Sequence, residues 1–334
     1  MGVKAREIRL KSRAVGVPTA ENFELAEIEL GEPGAGEALV RNLWMSVDPY
    51  MRGRMYDRKS YVPPFAIGAP LQGGAIGEVI ASNDPALKAG DLVESMMGWR
   101  EAFIAPAGQL QKLPASNAPT QAFLGVLGMP GLTAYSGLLE IGQPKEGETV
   151  FVSGGAGAVG SVVAQIAKIK GCRVVASVGS DEKAAWLKGA GVDAVVNYKT
   201  CGKLMDAVAA AAPNGIDVYF DNVGGEHLEV ALELANPFAR FVECGMISQY
   251  NNTDLVAGPA NMTMIVRKSI KLQGYIVLQY QHLRGQFLRD MTQWIEEGKI
   301  KWEETVETGI ENAPAAFLKL FSGGNTGKML VKLG

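Results

Sequence analysis

Residues 153–160 read SGGAGAVG, and within them Gly155, Gly157 and Gly160 keep the spacing G-x-G-x-x-G. The apolar stretch TVFV precedes the run and the helix-like stretch SVVAQIAKIKG follows it. That context gives the spacing its meaning. Glycines permit a tight turn and a close main-chain approach, and the N–H groups and positive end of the following helix stabilise a pyrophosphate. The alternative is a glycine-rich strand-to-helix turn with no ligand. The further α/β units that follow favour dinucleotide binding.

A site for NAD ends its second strand in Asp or Glu, placed for the ribose 2′-OH about 20 residues beyond the glycines. Here the strand ends in Ser177, Val178 and Gly179, while Asp181 and Glu182 fall in the acidic first turn of a helix capped by Ser180. Lys183 is close enough to offer positive charge to a 2′-phosphate. The expectation is NADP(H) over NAD(H), against the alternative that Lys183 is a solvated helix lysine.

Zinc, a common means of polarising a substrate oxygen, requires Cys, His or carboxylate ligands at suitable spacing. Residues 1–125 contain no Cys and no His, and the two histidines of the chain, His227 and His282, read as surface or cap residues. No metal site is expected. No G-x-S-x-G elbow occurs, which argues against a hydrolase. Hydroxyls remain as candidate acids. Tyr50, in SVDPYMRGRM, stands at a strand-to-turn transition, and Tyr250, in CGMISQYN, follows the fifth strand of an α/β series. A phenol with a pKa of about 10 is protonated at neutral pH and can donate to developing negative charge. Each tyrosine also suits packing with a wet tip.

The elements that must position these groups change character near residue 125. Before it, short strand-like pieces broken by Gly and Pro (EALVRNLWMSV, GGAIGEVIAS, GDLVESMM, EAFIAPAGQLQKL) suggest an antiparallel barrel or sandwich. Beyond it, TVFVSG, RVVASV, AVVNY, IDVYFDN, RFVECGM and KLQGYIV alternate with helical segments. That rhythm implies βαβ units and a doubly wound six-stranded parallel sheet. LRGQFLRDMTQWIEEGKI reads as an amphipathic helix, and the tail reads as strand, helix, strand. We therefore expect a domain over 1–125, a dinucleotide-binding domain over 126–299, and a tail, 300–334, that returns to the first.

A chain of 334 residues, 47% hydrophobic and 20% charged, suits two globular domains. A net charge of −3 leaves no basic excess for nucleic acid or an anionic membrane. Cys172, Cys201 and Cys244 form no C-x-x-C pair, which suits a reducing compartment. With no apolar run of signal-peptide or bilayer length, the expectation is a cytoplasmic protein.

GMPGLTAYSGLLEIG, GAGAVGSVVAQIAK, VGSDEKAAWLK, VNYKT, DNVGGEHLE, ENAPAAFLKLFSGGNTGKMLVKL and SVDPYMRGRM together resemble the zinc-free medium-chain dehydrogenase/reductases. The resemblance spans nearly the whole chain. It is strongest to the branch containing prostaglandin reductase (leukotriene hydroxydehydrogenase), plant double-bond reductases and bacterial curcumin reductase. It implies an α/β architecture, a GroES-like antiparallel β-barrel plus a Rossmann domain, with the active cleft at their junction. It also implies NADPH-dependent reduction of the carbon–carbon double bond of α,β-unsaturated ketones and aldehydes.

Carried over by resemblance, Gly155, Gly157, Ala158, Val159 and Gly160 hold the pyrophosphate, and Lys183 with Tyr198 grips the 2′-phosphate. Asn222 lies beside the cofactor, Cys244, Gly245, Ile247 and Tyr250 pass along it, and Asn325 reaches it from the tail. Thr133 and a strand around Tyr275, Ile276 and Val277 line the nicotinamide pocket. Tyr250 or Tyr50 is the implied acid. Arg267 and Gln249 depart from the pattern, where relatives carry a tyrosine and often a His. The small-molecule substrate is an enone, enal or quinone. The alternatives are a zinc-free quinone reductase of the same fold and a non-catalytic NADPH-binding protein. A homodimer paired through KLQGYIVL is expected.

Overall fold

The structure, a computed structural model, describes residues 2–334. The chain divides into two compact units, one running to Leu124 with Glu304–Asn325 and Met329–Gly334, the other comprising Gly125–Glu303 and Thr326–Lys328.

In chain order the first unit opens with β1 (Val3–Leu10), β2 (Phe23–Leu30), β3 (Glu37–Ser46), the single-turn helix α1 (Met51–Arg54), β4 (Ala75–Ser82), β5 (Leu92–Ser95), β6 (Ala102–Pro106) and β7 (Gln111–Lys112). β1 and β2 form an antiparallel ladder from Val3↔Leu30 to Leu10↔Phe23. β3 is long enough to serve several partners. β4 follows its length from Ala38 to Met45, β6 pairs with Glu37–Arg41, and β15 of the tail pairs with Trp44–Ser46, all antiparallel.

The second unit contains α2 (Met129–Ser136), β8 (Thr149–Val152), α3 (Gly160–Ile169), β9 (Arg173–Val178), α4 (Asp181–Gly189), β10 (Ala194–Asn197), α5 (Leu204–Ala211), β11 (Ile216–Asp221), α6 (Glu226–Leu234), β12 (Ala235–Glu243), α7 (Thr263–Arg267), β13 (Lys271–Gly274) and α8 (Arg284–Glu296). The tail supplies β14 (Glu304–Thr308), α9 (Ala313–Ser322) and β15 (Lys328–Lys332). The second unit's sheet runs β10-β9-β8-β11-β12-β13, every neighbouring pair parallel. This is the doubly wound order, with the switch beside β8, where the glycine run begins. Val150, Phe151, Val152, Val174 and Val175 are fully buried because helices cover both faces, which is why these strands read as unbroken apolar runs.

Aromatic packing centres the first unit. Trp99 stacks on Phe23 at 6.0 Å and meets Phe317 of α9 edge-on at 6.1 Å. Burial of Trp99, Phe23 and Phe317 fixes the tail helix to this unit, each ring contributing about 1.5–3 kcal/mol. Among the described residues no helix is long and apolar enough to cross a membrane.

One expected strand is shorter than its sequence suggested. β13 stops at Gly274, paired with Glu243; Ile276 is extended and a 3-10 helix starts at Val277. The strand expected around Tyr275–Val277 is therefore a turn that aims the Tyr275 ring inward. The Tyr275 hydroxyl donates to the Thr133 carbonyl at 2.7 Å.

Candidate active site

The glycine run forms the turn between β8 and α3. Gly154 has φ +60, a conformation that suits glycine, and Gly155 N donates to the Ser177 carbonyl at 2.9 Å, tying the turn to β9. A Cβ on Gly155 would stand 2.7 Å from Ala176 Cβ, and one on Gly160 would meet the Gly154 carbonyl and lie 2.9 Å from Gly155 Cα. Only hydrogen fits at either place. Val159 is the residue before α3, so Gly157–Gly160 present main chain at a helix amino terminus. Gly327 N donates to the Ala156 carbonyl at 2.8 Å. Thr326–Lys328 thus belong with this unit, while Asn325, just before them, falls in the other.

At the β9 tip no carboxylate replaces the expected acid. The Ser180 hydroxyl accepts from Lys183 N, capping α4, and Asp181 accepts from Asn197 Nδ2 at 2.8 Å. A Cβ on Gly179 would stand 2.8 Å from the Tyr198 hydroxyl and 3.4 Å from Lys199 Cε, so both side chains lie over the tip. Burial, and then neighbouring Lys199, holds the half-buried Lys183 ammonium below its ordinary pKa. Lys183 and Lys199 thus bring two positive charges close together at the β9 tip. Lys199 was missed in the sequence because β10 brings it there from outside the helix that carries Lys183.

The carboxyl ends of β11, β12 and β13 surround the second half of the site. Asn222 N donates to Ser153 Oγ and Asn222 Nδ2 to the Ser153 carbonyl, both at 2.8 Å, locking the β11 exit to β8. Cys244 N and Gly245 N donate to the Asp221 carbonyl at 3.0 and 3.1 Å, and Ile247 N to Asn222 at 3.2 Å. The segment toward Tyr250 is thereby laid alongside Asn222. A Cβ on Gly245 would stand 2.7 Å from the Tyr250 hydroxyl. Glu243, Cys244, Gly245, Met246, Gly274, Tyr275, Ile276 and Gln279 line a cavity of about 440 Å³. Thr133 meets this group through Tyr275, and Val277 opens the turn behind Ile276.

Burial pushes the Cys244 thiol up to about 12, so it is a neutral wall of the cavity rather than a nucleophile. His227 departs from the surface or cap role expected of it. It is buried, edge-on to the Tyr198 ring at 5.3 Å, and desolvation holds its pKa below the ordinary value. A neutral ring supporting Tyr198 from beneath is what results.

In the first unit Tyr50 directly precedes α1 and packs partly against the Trp99 core. Burial, and then Asp48, pushes its phenol well above the ordinary range, so it stays protonated and can donate a hydrogen bond at any working pH. Ser46 Oγ donates to Asp48. Among the described residues no group of three or more His, Cys, Asp or Glu side chains could hold a metal ion.

These residues fit a phosphorylated dinucleotide. The glycine cradle suits the pyrophosphate, Lys183, Tyr198 and Lys199 suit a further phosphate beside β9, and the cavity beyond β11 suits the second nucleoside.

Comparison with known proteins agrees with this geometry. A family described as "N-terminal domain of oxidoreductase" matches residues 6–113, and one described as "Zinc-binding dehydrogenase" matches residues 158–297. The NADPH-dependent curcumin reductase of Escherichia coli (strain K12) is 43% identical, with 97% of this chain and 95% of that protein covered. The NADP(+)-dependent 2-alkenal reductase of Nicotiana tabacum is 42% identical over 98% of this chain and 97% of its own. The crystal structure of CurA from Vibrio vulnificus in complex with NADPH superposes with a TM-score of 0.94 at 44% identity, covering 98% of this chain and 99% of that one.

Proposed function

The chain belongs to the zinc-free branch of the medium-chain dehydrogenase/reductases, and from that membership we propose an NADPH-dependent reductase of carbon–carbon double bonds in α,β-unsaturated ketones and aldehydes. The observation that carries the reading is the β9 tip, where Tyr198 and Lys199 lie over Gly179, Lys183 stands near Lys199, and Asp181 is turned to Asn197. A carboxylate there would repel a 2′-phosphate, whereas two ammonium groups attract it.

When bound, the reduced nicotinamide supplies the hydride for the substrate's β-carbon. The chain's own groups do the rest. Gly155, Gly157, Ala158, Val159 and Gly160 hold the pyrophosphate, and Lys183 and Tyr198 hold the 2′-phosphate. Asn222, Cys244, Gly245, Ile247, Tyr275, Ile276, Val277 and Thr133 shape the nicotinamide end, and Asn325 approaches from the tail. Hydride arrival drives negative charge onto the substrate carbonyl oxygen, and Tyr250 or Tyr50 donates a hydrogen bond to it. Losing such a donor costs about 3 kcal/mol of barrier. The α-carbon then takes its proton from a tyrosine or from water.

We further propose a cytoplasmic homodimer, paired along β13. Lys271, Leu272 and Gly274 of that edge strand are exposed, and an open edge invites a second strand.

A panel of enals, enones and quinones mixed with protein and NADPH, followed in the near ultraviolet, tests the function. Consumption with enals and enones supports it. Consumption with quinones alone, or cofactor bound and never consumed, overturns it.

A further inference from the structure

Parallel register sets four residues in a row across the carboxyl ends of β8, β11, β12 and β13. Asp221 pairs with Glu243 and Glu243 with Gly274, while Ser153 follows Val152, the partner of Phe220. Asp221 is fully buried. Its Oδ1 accepts from Ser153 Oγ, Val223 N and Gly224 N, each at 2.8 Å. Among the described residues no hydrogen-bond partner reaches its Oδ2 or either oxygen of Glu243, and the Tyr219 hydroxyl, also unpartnered, lies beside Asp221. Two carboxyl groups set side by side on paired strands, with these oxygens unpartnered, are reconciled by one proton held between them. Glu243 is the member that carries it, since Asp221 already has its acceptor side filled. On the far side of Glu243 stands Gly274, with no side chain, and the cavity opens there.

We propose that Glu243 and Asp221 act as a charge sensor for the nicotinamide ring, keeping their shared proton beside the neutral reduced ring and releasing it beside the cationic oxidised ring. This rests on the dinucleotide site proposed above. The pyrophosphate cradle follows β8, and the phosphate pocket at β9 takes the adenosine half to one side. The nicotinamide half then extends to the other side, over β11, β12 and β13, where the cavity lies. A cation seated there favours the ionised carboxyl, and a neutral ring does not. On release the Glu243 O–H bond breaks, its electron pair stays on the carboxylate, and the proton passes to solvent. Glu243 is thus a positioning residue that biases which cofactor form the site retains.

The neighbouring groups leave Glu243 to titrate in the neutral range. Burial and then Asp221 push the Glu243 carboxyl up to about 8. From β11 it is faced by Tyr219, raised well above its ordinary value by burial; beside it on β12 is Cys244, at about 12. Tyr275, raised likewise, and Tyr280 follow β13, and His227 of α6, lowered by burial, faces Asp221. Asp221 is the only other carboxyl among them.

Calorimetric titration of the full chain with NADP+ and with NADPH, in buffers of differing ionisation enthalpy, counts the protons released. Between about pH 6.5 and about pH 8, NADP+ should release up to about one proton more than NADPH. The affinity ratio of NADP+ to NADPH should rise toward tenfold per pH unit. The cofactor's own phosphate, titrating near pH 6, contributes equally to both and cancels. In Glu243→Gln the difference in proton count should vanish and the ratio become flat with pH, a change that a merely structural role would not produce. Equal proton counts for both cofactors in the unmodified protein overturn the sensor while leaving the dinucleotide site standing. Heat with neither cofactor overturns both. The unmodified protein's counts decide the matter even if the variant does not fold.

Discussion

The Tyr275 hydroxyl donates to the Thr133 carbonyl at 2.7 Å, pinning the turn after β13 to α2. The hydroxyl is buried, and a Cβ on Gly137 would stand 2.6 Å from Tyr275 Cζ, so α2 is shaped around this ring. Tyr275→Phe should cost about 0.5–1.5 kcal/mol by removing this hydrogen bond, the Thr133 carbonyl still accepting from Gly137 N, and urea unfolding measures it. An unchanged midpoint would show that the contact contributes nothing.

At the β9 tip, Lys183→Ala should weaken NADPH binding by about 1.5–3 kcal/mol, about ten- to hundredfold, and leave NADH binding within about twofold. Fluorescence titration with both cofactors reads the difference. Lys199→Ala should lose less, because its side chain is exposed.

Gly160→Ala places a methyl against the Gly154 carbonyl and Gly155 Cα, main chain that can yield only by opening the turn. The expected cost is about 1–3 kcal/mol of stability together with loss of NADPH binding. Thermal unfolding with and without cofactor reports both, and a variant still stabilised normally by NADPH would contradict the cradle.

The raised Glu243 carboxyl also makes stability depend on pH. Its ordinary value is 4.5, so between that pH and about 8 the native state holds a proton that the unfolded chain has lost. Stability from this group is full below pH 4.5 and falls by at most about 1.4 kcal/mol per pH unit as the pH rises toward 8. Glu243→Gln should therefore gain on the unmodified protein as pH increases. Urea midpoints for both proteins at either end of this range should diverge, and parallel curves would contradict the buried acid pair.

The parallel sheet was legible in the sequence because TVFV, the VVA of RVVASV and the VYF of IDVYFD are buried on both faces and form short apolar runs. β1 was not legible. Its Lys4, Arg6, Glu7 and Arg9 interrupt any apolar alternation, yet Glu7 and Arg9 pair with each other and Arg6 with Glu101, so the strand forms with these three charges tied down. Lys199 and the Asp221–Glu243 pair were missed for one reason. Each depends on which residues neighbouring strands place side by side, and local spacing carries no record of register. The inward turn of Tyr275 was hidden similarly, since YIV has the composition of a strand and only the end of pairing at Gly274 breaks it.

For the proposed acids, the double variant Tyr50→Phe with Tyr250→Phe should lower turnover by about a hundredfold or more while NADPH remains bound. Steady-state rates beside a cofactor titration separate the two effects. Full turnover would show that neither hydroxyl serves the developing enolate.

The most direct measurement follows the hydride itself. NADPH deuterated at the transferring position of C4 is incubated with the protein and a simple enone, and the product is examined by NMR. Deuterium on the β-carbon of a saturated ketone is the predicted result. Deuterium on the carbinol carbon of an allylic alcohol, or none in any product, would contradict the account.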